Sequence, residues 1–412
     1  MRTPKGNRLH IAILGRRNAG KSALLNALTR QNVSIVSDVP GTTTDPVEKP
    51  MELHPIGPVV FIDTAGLDDA GALGAERVNR SRRVLDRTDL AVLVVGGGEW
   101  GEFEEELAQE LARRRTPLVV AFNKSDLAAP EDSIIQRLQQ GRIPHVLTCA
   151  TDGAGLAALR EAIIAAVPEE FLEQPTILGD LVPAGQLVVL VVPIDSAAPR
   201  GRLILPQVQT IRDALDHDVG CLVVREHALR DALQRLRTPP ALVVTDSQAF
   251  QKVAADTPAD VPMTSFSILF ARLKGDLAAL VRGARAIDSL RPGDRILVCE
   301  ACSHQATCDD IGRAKIPAWL ERYVGGPLRF THYQGYDFPD DLGDFRLAIH
   351  CGACVHNRRS MLTRIQRCQE AGVPITNYGL TIAYTLGIFE RALRPFPDAL
   401  AAFHESCVSP TA

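Results

Sequence analysis

Short apolar runs alternate with amphipathic ones along most of this chain, and they do so in three blocks. In residues 1–170 the strand-like runs are Leu9–Leu14, Pro58–Asp63, Leu90–Val95, Leu118–Asn123 and His145–Ala150. Helix-patterned stretches separate them, which predicts a mostly parallel, doubly wound sheet with helices on both faces. Leu90–Val95 is apolar at every position, as a strand covered on both sides requires. Glu102–Leu111 is acidic early and is followed by Arg113–Arg115, an order that complements a helix dipole.

The stretch 167–185 holds three prolines and two glycines and reads as a linker. After it, residues 178–262 give three strand–helix repeats. The strands are Leu187–Ile194, Gly220–Arg225 and Ala241–Thr245, and the helices are Pro206–Asp216, His227–Arg237 and Ser247–Ala255. This small α/β block carries no phosphate loop and no cysteine cluster, so a scaffold or association surface is its simplest role. Residues 263–412 form the third block, with strands at Arg295–Val298 and Phe345–Ile349 and a helix at Thr381–Leu393.

Composition narrows the class. Of 412 residues, 46% are hydrophobic and 23% charged, an ordinary globular balance. The net charge of −4 weighs against a nucleic-acid partner, whose binding domain is usually basic. No apolar run approaches bilayer length and the N-terminus lacks the apolar core of a signal peptide, so a cytoplasmic location without membrane contact is expected. Seven of the nine cysteines lie at or beyond Cys299. In a cytoplasmic chain such clustering points to metal binding or catalysis, not to disulfides.

The first block carries phosphate chemistry. Gly15-Arg16-Arg17-Asn18-Ala19-Gly20-Lys21-Ser22 follows the first strand and runs into a helical pattern beginning at Ala23, the context a phosphate-binding loop needs. Lys21 would reach the β- and γ-phosphates, and Ser22 would ligate Mg²⁺. Asp63-Thr64-Ala65-Gly66 ends a strand, with Asp63 placed for the Mg²⁺ shell and the Gly66 N–H for the γ-phosphate. Thr43, within Gly41-Thr42-Thr43-Thr44-Asp45, lies where a switch loop completes Mg²⁺ coordination. Asn123-Lys124-Ser125-Asp126 follows another strand. Its aspartate can accept from both N1 and N2 of guanine, which makes GTP, and GDP after hydrolysis, the expected ligands. Cys149-Ala150 sits where backbone meets the guanine carbonyl.

These motifs, in this order at strand ends, resemble the translation-factor-like class of GTPases, and within it the tRNA-modification and ribosome-assembly branch. In that branch the asparagine matching Asn18 helps hold a K⁺ ion beside the phosphates, so the resemblance implies K⁺-stimulated hydrolysis. Leu67 stands where Ras-like GTPases place a water-orienting glutamine, which implies slow intrinsic turnover. The catalytic set is thus Lys21, Thr43, Asp63 and Gly66.

In the third block, Cys302-Ser303-His304 follows one strand and His350-Cys351-Gly352-Ala353-Cys354 follows another. Two half-sites at neighbouring strand ends can converge. Cys302, Cys351 and Cys354 are the thiolate candidates, and His304 or His350 can add a nitrogen. The spacing fits a Cys₃His zinc site and a 4Fe–4S cluster equally well. Cys299 and Cys308 flank the first half-site as alternative ligands or plain structural residues.

Further stretches resolve this. Asp309-Asp310-Ile311-Gly312 with Lys315-Ile316-Pro317, Ile375-Thr376-Asn377-Tyr378-Gly379, and Ala198-Pro199-Arg200-Gly201-Arg202-Leu203-Ile204-Leu205-Pro206 join the cysteine pattern in resembling the FeFe-hydrogenase maturation GTPases, the HydF-type family, over essentially the whole chain. The resemblance implies an α/β chain of three domains: a P-loop GTPase domain (1–170), a dimerisation domain (178–262) and an iron–sulfur cluster-binding domain (263–412). It implies a 4Fe–4S cluster on Cys302, Cys351 and Cys354, with His304 a candidate fourth ligand. It also implies a homodimeric scaffold that carries a transient diiron precursor, receives it from two radical-SAM maturases and passes it to the hydrogenase apoprotein. The competing reading is an RNA-modification or ribosome-assembly GTPase with a zinc-binding tail. A redox enzyme is a third, without a flavin or nicotinamide fingerprint to support it.

Overall fold

The computed structural model describes residues 3–29, 47–64, 83–172, 175–194, 201–302 and 310–405. The chain divides into two compact units, 1–175 and 176–412. The division falls within the proline-rich stretch 167–185.

The first unit is built on a six-stranded sheet of β1 (Leu9–Leu14), β2 (Val47–Leu53), β3 (Gly57–Asp63), β4 (Leu90–Gly96), β5 (Leu118–Asn123) and β6 (His145–Leu147). The order is β2-β3-β1-β4-β5-β6, and every pairing is parallel except that of β2 with β3. Alternate residues of the central strands feed two cores. Leu9, Ile11, Ile13, Val92 and Val94 pack with Leu24, Leu25 and Leu28 of helix Lys21–Thr29 and with Leu159 and Ile163 of helix Leu156–Ala165. On the other face, Ala12, Leu14, Leu93, Val95 and Phe122 meet Leu107 and Leu111 of helix Glu102–Arg113 and Ile134 and Leu138 of helix Asp132–Gln140. The last strand stops at Leu147, three residues short of the expected end. Thr148 still bonds to β5 through its N–H to the Phe122 carbonyl (2.8 Å), after which its own carbonyl and the Cys149 thiol turn to Ser125 and Asp126 of the following loop.

The second unit holds two four-stranded parallel sheets. One comprises β7 (Leu187–Val191), β8 (Gly220–Val224), β9 (Leu242–Thr245) and β10 (Met263–Ser265), in the order β10-β9-β7-β8. The other comprises β11 (Arg295–Glu300), β12 (Arg329–Gln334), β13 (Leu347–His350) and β14 (Ile375–Asn377), in the order β12-β11-β13-β14. Because β10 pairs with β9, the first of these sheets takes its last strand from beyond residue 262. Both sheets share one continuous apolar core, from Ile177 to Ala399. Polar clamps bridge them as well. Arg391 donates to the carbonyls of Ala254 (2.8 Å), Thr257 (2.8 Å) and Pro258 (2.9 Å), and Arg394 donates to Ala259 (2.7 Å). These carbonyls end helix Phe250–Asp256 and its following turn, so a guanidinium supplies donors that the helix terminus lacks.

The expected helix Thr381–Leu393 is two helices, Tyr378–Thr385 and Phe389–Leu393. Gly387 adopts φ 70° between them, a left-handed turn that ends the first.

Strand order decides where a ligand can sit. In the last sheet β11 lies between β12 and β13, so the chain leaves β11 toward one side and returns on the other. The crevice beyond the carboxyl ends of β11 and β13 is therefore a topological switch point, where open α/β sheets take their ligands. Cys302 and Cys351 follow those two strand ends.

Among the described residues, no helix is long and apolar enough to cross a membrane.

Candidate functional site

Two constellations stand out, one in each unit. In the first, the loop Gly15–Ser22 joins β1 to helix Lys21–Thr29. Gly15 has φ 143°, and a Cβ there would lie 2.3 Å from the Val94 carbonyl oxygen. Gly20 has φ 91°, and a Cβ there would lie 2.2 Å from Asn123 Nδ2. Both glycines are therefore needed for the loop to close against β4 and β5. Asn18 takes φ 62°, a left-handed position that asparagine tolerates. Buried Lys21 donates through Nζ to the carbonyls of Gly15 (3.0 Å) and Arg16 (2.7 Å).

Asp63 at the end of β3 is buried, and its Oδ2 accepts from Ser22 Oγ at 2.6 Å. Burial raises the Asp63 pKa, while the Ser22 hydrogen bond and the charges of Lys21 and Lys49 oppose the rise. Its Oδ1 is buried without a hydrogen-bond partner. A carboxylate with one oxygen on Ser22 and the other unused fits the shell of a divalent cation bound at Ser22. Thr64 is pinned by its hydroxyl to the Ile13 carbonyl at 2.8 Å.

Asn123 ties three motifs together. Its Nδ2 donates to Ala19 O of the phosphate loop at 3.0 Å, and its Oδ1 accepts from the Ala150 N–H at 3.2 Å and from Thr148 Oγ1 at 3.5 Å. Lys124 then turns through φ 61°. Exposed Asp126 accepts from the Cys149 thiol through Oδ1 at 3.2 Å, which orients its carboxylate. The structure thus brings Gly15, Asn18, Ala19, Gly20, Lys21, Ser22, Ala23, Asp63, Thr64, Asn123, Lys124, Asp126, Cys149 and Ala150 to the carboxyl edge of one sheet. Thr43, Ala65, Gly66 and Leu67 lie outside the described residues.

In the second unit the two cysteine half-sites meet. The Ala301 N–H, next to Cys302, donates to Cys351 Sγ at 3.1 Å, and the Ala353 N–H approaches the same sulfur at 3.5 Å. Ala353 takes φ 53°, the turn that brings Cys354 back toward Cys351. Burial pushes the Cys351 thiol up to about 12, with Cys354 adding to the rise and the two amides opposing it. The Cys354 thiol is pushed up to about 11, first by burial and then by Cys302, against the charge of Lys274. Cys302 is exposed, yet partial desolvation still raises its thiol pKa, with Glu300 and Asp310 contributing. Three soft sulfur donors therefore share one crevice as neutral thiols, a donor set that thiophilic metal would deprotonate and bind. Among the described residues, no group of three or more His, Cys, Asp or Glu side chains is drawn up as a ready metal-ion site. His304 and Cys308 lie outside the described residues.

His350 does not join the thiols as a nitrogen ligand. Its Nδ1 meets the Cys351 carbonyl at 2.9 Å, and its Nε2 accepts from Arg364 Nη1 at 2.7 Å, so both ring nitrogens are engaged. Burial, and after it the Arg364 charge, lowers its pKa to about 3. Cys299 is likewise no alternative ligand: it is a core residue of β11, its thiol pushed up to about 12 by burial.

Sequence reasoning missed several side chains that shape these sites. Lys49, buried on β2, faces Asp63, but its strand was not legible. Arg364 lies on helix Arg358–Glu370, where an arginine reads as solvent-facing, yet it is buried. Glu104 is buried against Arg16; the spacing Gly101-x-x-Glu104 at a helix start is the one signal that could have found it.

Three family models match the chain. Residues 10–124 match the 50S ribosome-binding GTPase model, 177–275 the Hydrogen maturase F dimerization domain and 278–395 the Hydrogen maturase F tetramerization domain. The first unit therefore carries a GTPase domain. The tRNA modification GTPase MnmE of Synechococcus sp. (strain JA-2-3B'a(2-13)) is 40% identical over 157 residues, covering 37% of this chain and 32% of that protein. GTPase Der of Campylobacter jejuni (strain RM1221) is 32% identical over 169 residues, covering 38% of this chain and 36% of that protein. The chain spans about a third of the length of the curated relatives it matches. Among solved structures, the G domain of the T. maritima FeoB iron transporter is similar at 26% identity, covering 39% of this chain and 98% of that one, with a TM-score of 0.31.

Proposed function

The chain belongs to the HydF-type family of hydrogenase maturation GTPases, and from that premise we propose that it is a GTP-hydrolysing scaffold that carries iron–sulfur cargo to FeFe-hydrogenase. The nucleotide cradle binds GTP and GDP with Mg²⁺. Lys21 contacts the β- and γ-phosphates, Ser22 and Thr43 hold Mg²⁺ with Asp63 behind them, and the Gly66 N–H reads the γ-phosphate. Asn123, Lys124, Asp126, Cys149 and Ala150 hold guanine. Mg²⁺ would supply neutralisation of the phosphate charge. Asn18 contributes to a K⁺ position that speeds an otherwise slow hydrolysis.

In the second unit, Cys302, Cys351 and Cys354 hold a 4Fe–4S cluster. Three cysteines would leave one position of such a cluster for another ligand, for which His304 is the candidate, and an exchangeable position there would suit a carrier of a diiron precursor. The precursor comes from two radical-SAM maturases, and the hydrogenase apoprotein receives it. Nucleotide state gates which partner is bound. The chain works in the cytoplasm as a homodimer or a higher assembly of dimers, and its domains are the GTPase (1–170), dimerisation (178–262) and cluster-binding (263–412) segments. Strand β8, paired with β7 on one side, is an edge strand among the described residues, with Val223 exposed, and a second copy could extend its outer edge.

The observation that carries the cluster reading is the hydrogen bond from the Ala301 N–H to Cys351 Sγ, which joins the two half-sites across the switch point. Iron, acid-labile sulfide and zinc are to be measured on anaerobically purified protein. About four irons and four sulfides per chain are expected. Stoichiometric zinc without sulfide would defeat the cluster reading. Equal GTP turnover in K⁺ and Na⁺ buffers would defeat the role given to Asn18.

A further inference from the structure

The second residue of the phosphate loop, Arg16, is held by a fork. Its Nε donates to Glu104 Oε1 at 2.7 Å and its Nη2 to Glu104 Oε2 at 2.8 Å. The Glu104 side chain is 1% exposed, whereas that of Arg16 is 40% exposed. Glu104 also accepts from the Gly101 N–H through Oε2 at 2.9 Å, so both carboxylate oxygens are engaged at the start of helix Glu102–Arg113. The guanidinium lies 5.3 Å from the centre of the Phe103 ring. A Cβ on Gly101 would fall 2.9 Å from Nη2, so a larger residue there would press on the guanidinium end of the fork. A buried carboxylate in a bidentate pair with arginine is among the strong hydrogen-bonded ties, and it fixes orientation as well as distance.

What this tie orients is the loop backbone. The carbonyl of the same Arg16 accepts from Lys21 Nζ at 2.7 Å, beside the Gly15 carbonyl at 3.0 Å. Helix Glu102–Arg113 packs on the sheet through Leu107 and Leu111, so Glu104 stands on a rigid element. We propose that Glu104 is a positioning residue for GTP binding and hydrolysis: through its fork to Arg16 it holds two loop carbonyls on Lys21, and so aims the lysine at the β- and γ-phosphates. Neither Arg16 nor Glu104 touches the reacting atoms. Without the fork, Arg16 can turn outward, its carbonyl leaves Lys21, and the ammonium searches a wider range of positions when phosphate arrives.

This inference rests on the GTPase reading, and the test separates the two. Nucleotide affinity, KM and kcat for GTP, and thermal unfolding are to be measured on the full chain as wild type, Glu104→Gln, Arg16→Gln, Arg16→Lys and the double variant Arg16→Gln/Glu104→Gln. Glutamine at 104 still accepts from Gly101 but loses the charged fork. Each Gln variant is expected to bind GTP and GDP about tenfold more weakly, the scale of one charge-assisted hydrogen bond, with a lower kcat. The double variant is expected to lose no more than either single one, because both break the same tie. Arg16→Lys, whose ammonium cannot make the fork, is expected to be impaired as well, and it changes only a half-exposed residue, so it keeps the test open if Glu104→Gln does not fold. A wild-type Arg16→Lys beside an impaired Arg16→Gln would show a plain charge effect and overturn the proposal. Unchanged affinity and kcat with a lowered melting temperature would reduce the fork to a structural contact. A wild-type chain that binds no GTP would instead sink the GTPase reading itself.

Discussion

The nucleotide cradle and the thiol crevice follow opposite rules of assembly. In the cradle, protein groups already satisfy one another: Asn123 bridges the phosphate and guanine loops, Lys21 rests on two carbonyls, and Ser22 closes on Asp63. Only Asp63 Oδ1 is left over among the polar atoms just named. In the crevice, the three sulfurs gain little from each other. Burial and mutual repulsion keep them protonated, and two amides on Cys351 are a partial compensation. The described part of the first site is preorganised: its polar groups are held by one another before any ligand arrives. The second has little internal satisfaction of its own, the condition under which a thiophilic ligand would add most.

That contrast breaks first under substitution. Cys351→Ala is expected to abolish iron and sulfide binding while leaving GTP turnover within about twofold of wild type. Lys21→Ala is expected to lower GTP turnover by about 10²–10³-fold, as loss of a charge aimed at the transferring phosphate does, with iron content unchanged. Paired iron analysis and phosphate-release assays check both, and a variant that loses both functions would mean the sites are not separable.

A smaller effect tests the preorganised side. Asp126→Asn removes a charged acceptor for guanine N1 and N2, so GTP affinity should fall about 10- to 100-fold. Xanthosine triphosphate should gain, because the new amide can donate to its O2. Titration with both fluorescent nucleotides reads this; an equal loss for each would place Asp126 outside the base contact.

The smallest effect sharpens the other side. The ordinary thiol value is 9.0, and the folded values for Cys351 and Cys354 are about 12 and about 11. These groups are raised on folding, so their contribution to stability is complete below pH 9. Above it the unfolded chain releases these protons first, binds fewer than the folded one, and stability falls until the folded thiols titrate. The urea midpoint of metal-free protein, followed from below pH 9 to above it, should therefore decline. Iron-loaded protein should not show this thiol-linked part, and identical slopes for the two forms would contradict the account.

The unequal legibility of the two sites in the sequence has the same physical source. The cradle is local: Gly15–Ser22 and Asn123–Asp126 are short strings whose spacing is their chemistry, and β1, β4 and β5 are apolar enough to read directly. The crevice is topological. Cys302 and Cys351 were readable as half-sites, but their convergence depends on β11 lying beside β13, which no local pattern states. The same string that marked Cys351 also marked His350, and only packing shows that Arg364 and the Cys351 carbonyl occupy its ring. The strands that went unread did so for two reasons. Edge strands β2 and β12 alternate polar residues through half-buried positions, and β10 and β14 have three residues each, too few for periodicity.

The clamp of Arg391 and Arg394 on residues 254–259 has a consequence for how such chains can be recombined. A middle sheet transplanted alone would leave the carbonyls of Ala254, Thr257 and Ala259, at and just beyond the end of helix Phe250–Asp256, without their guanidinium donors. The clamp and the shared apolar core make the two sheets of the second unit one folding unit, so cutting between them would cost both.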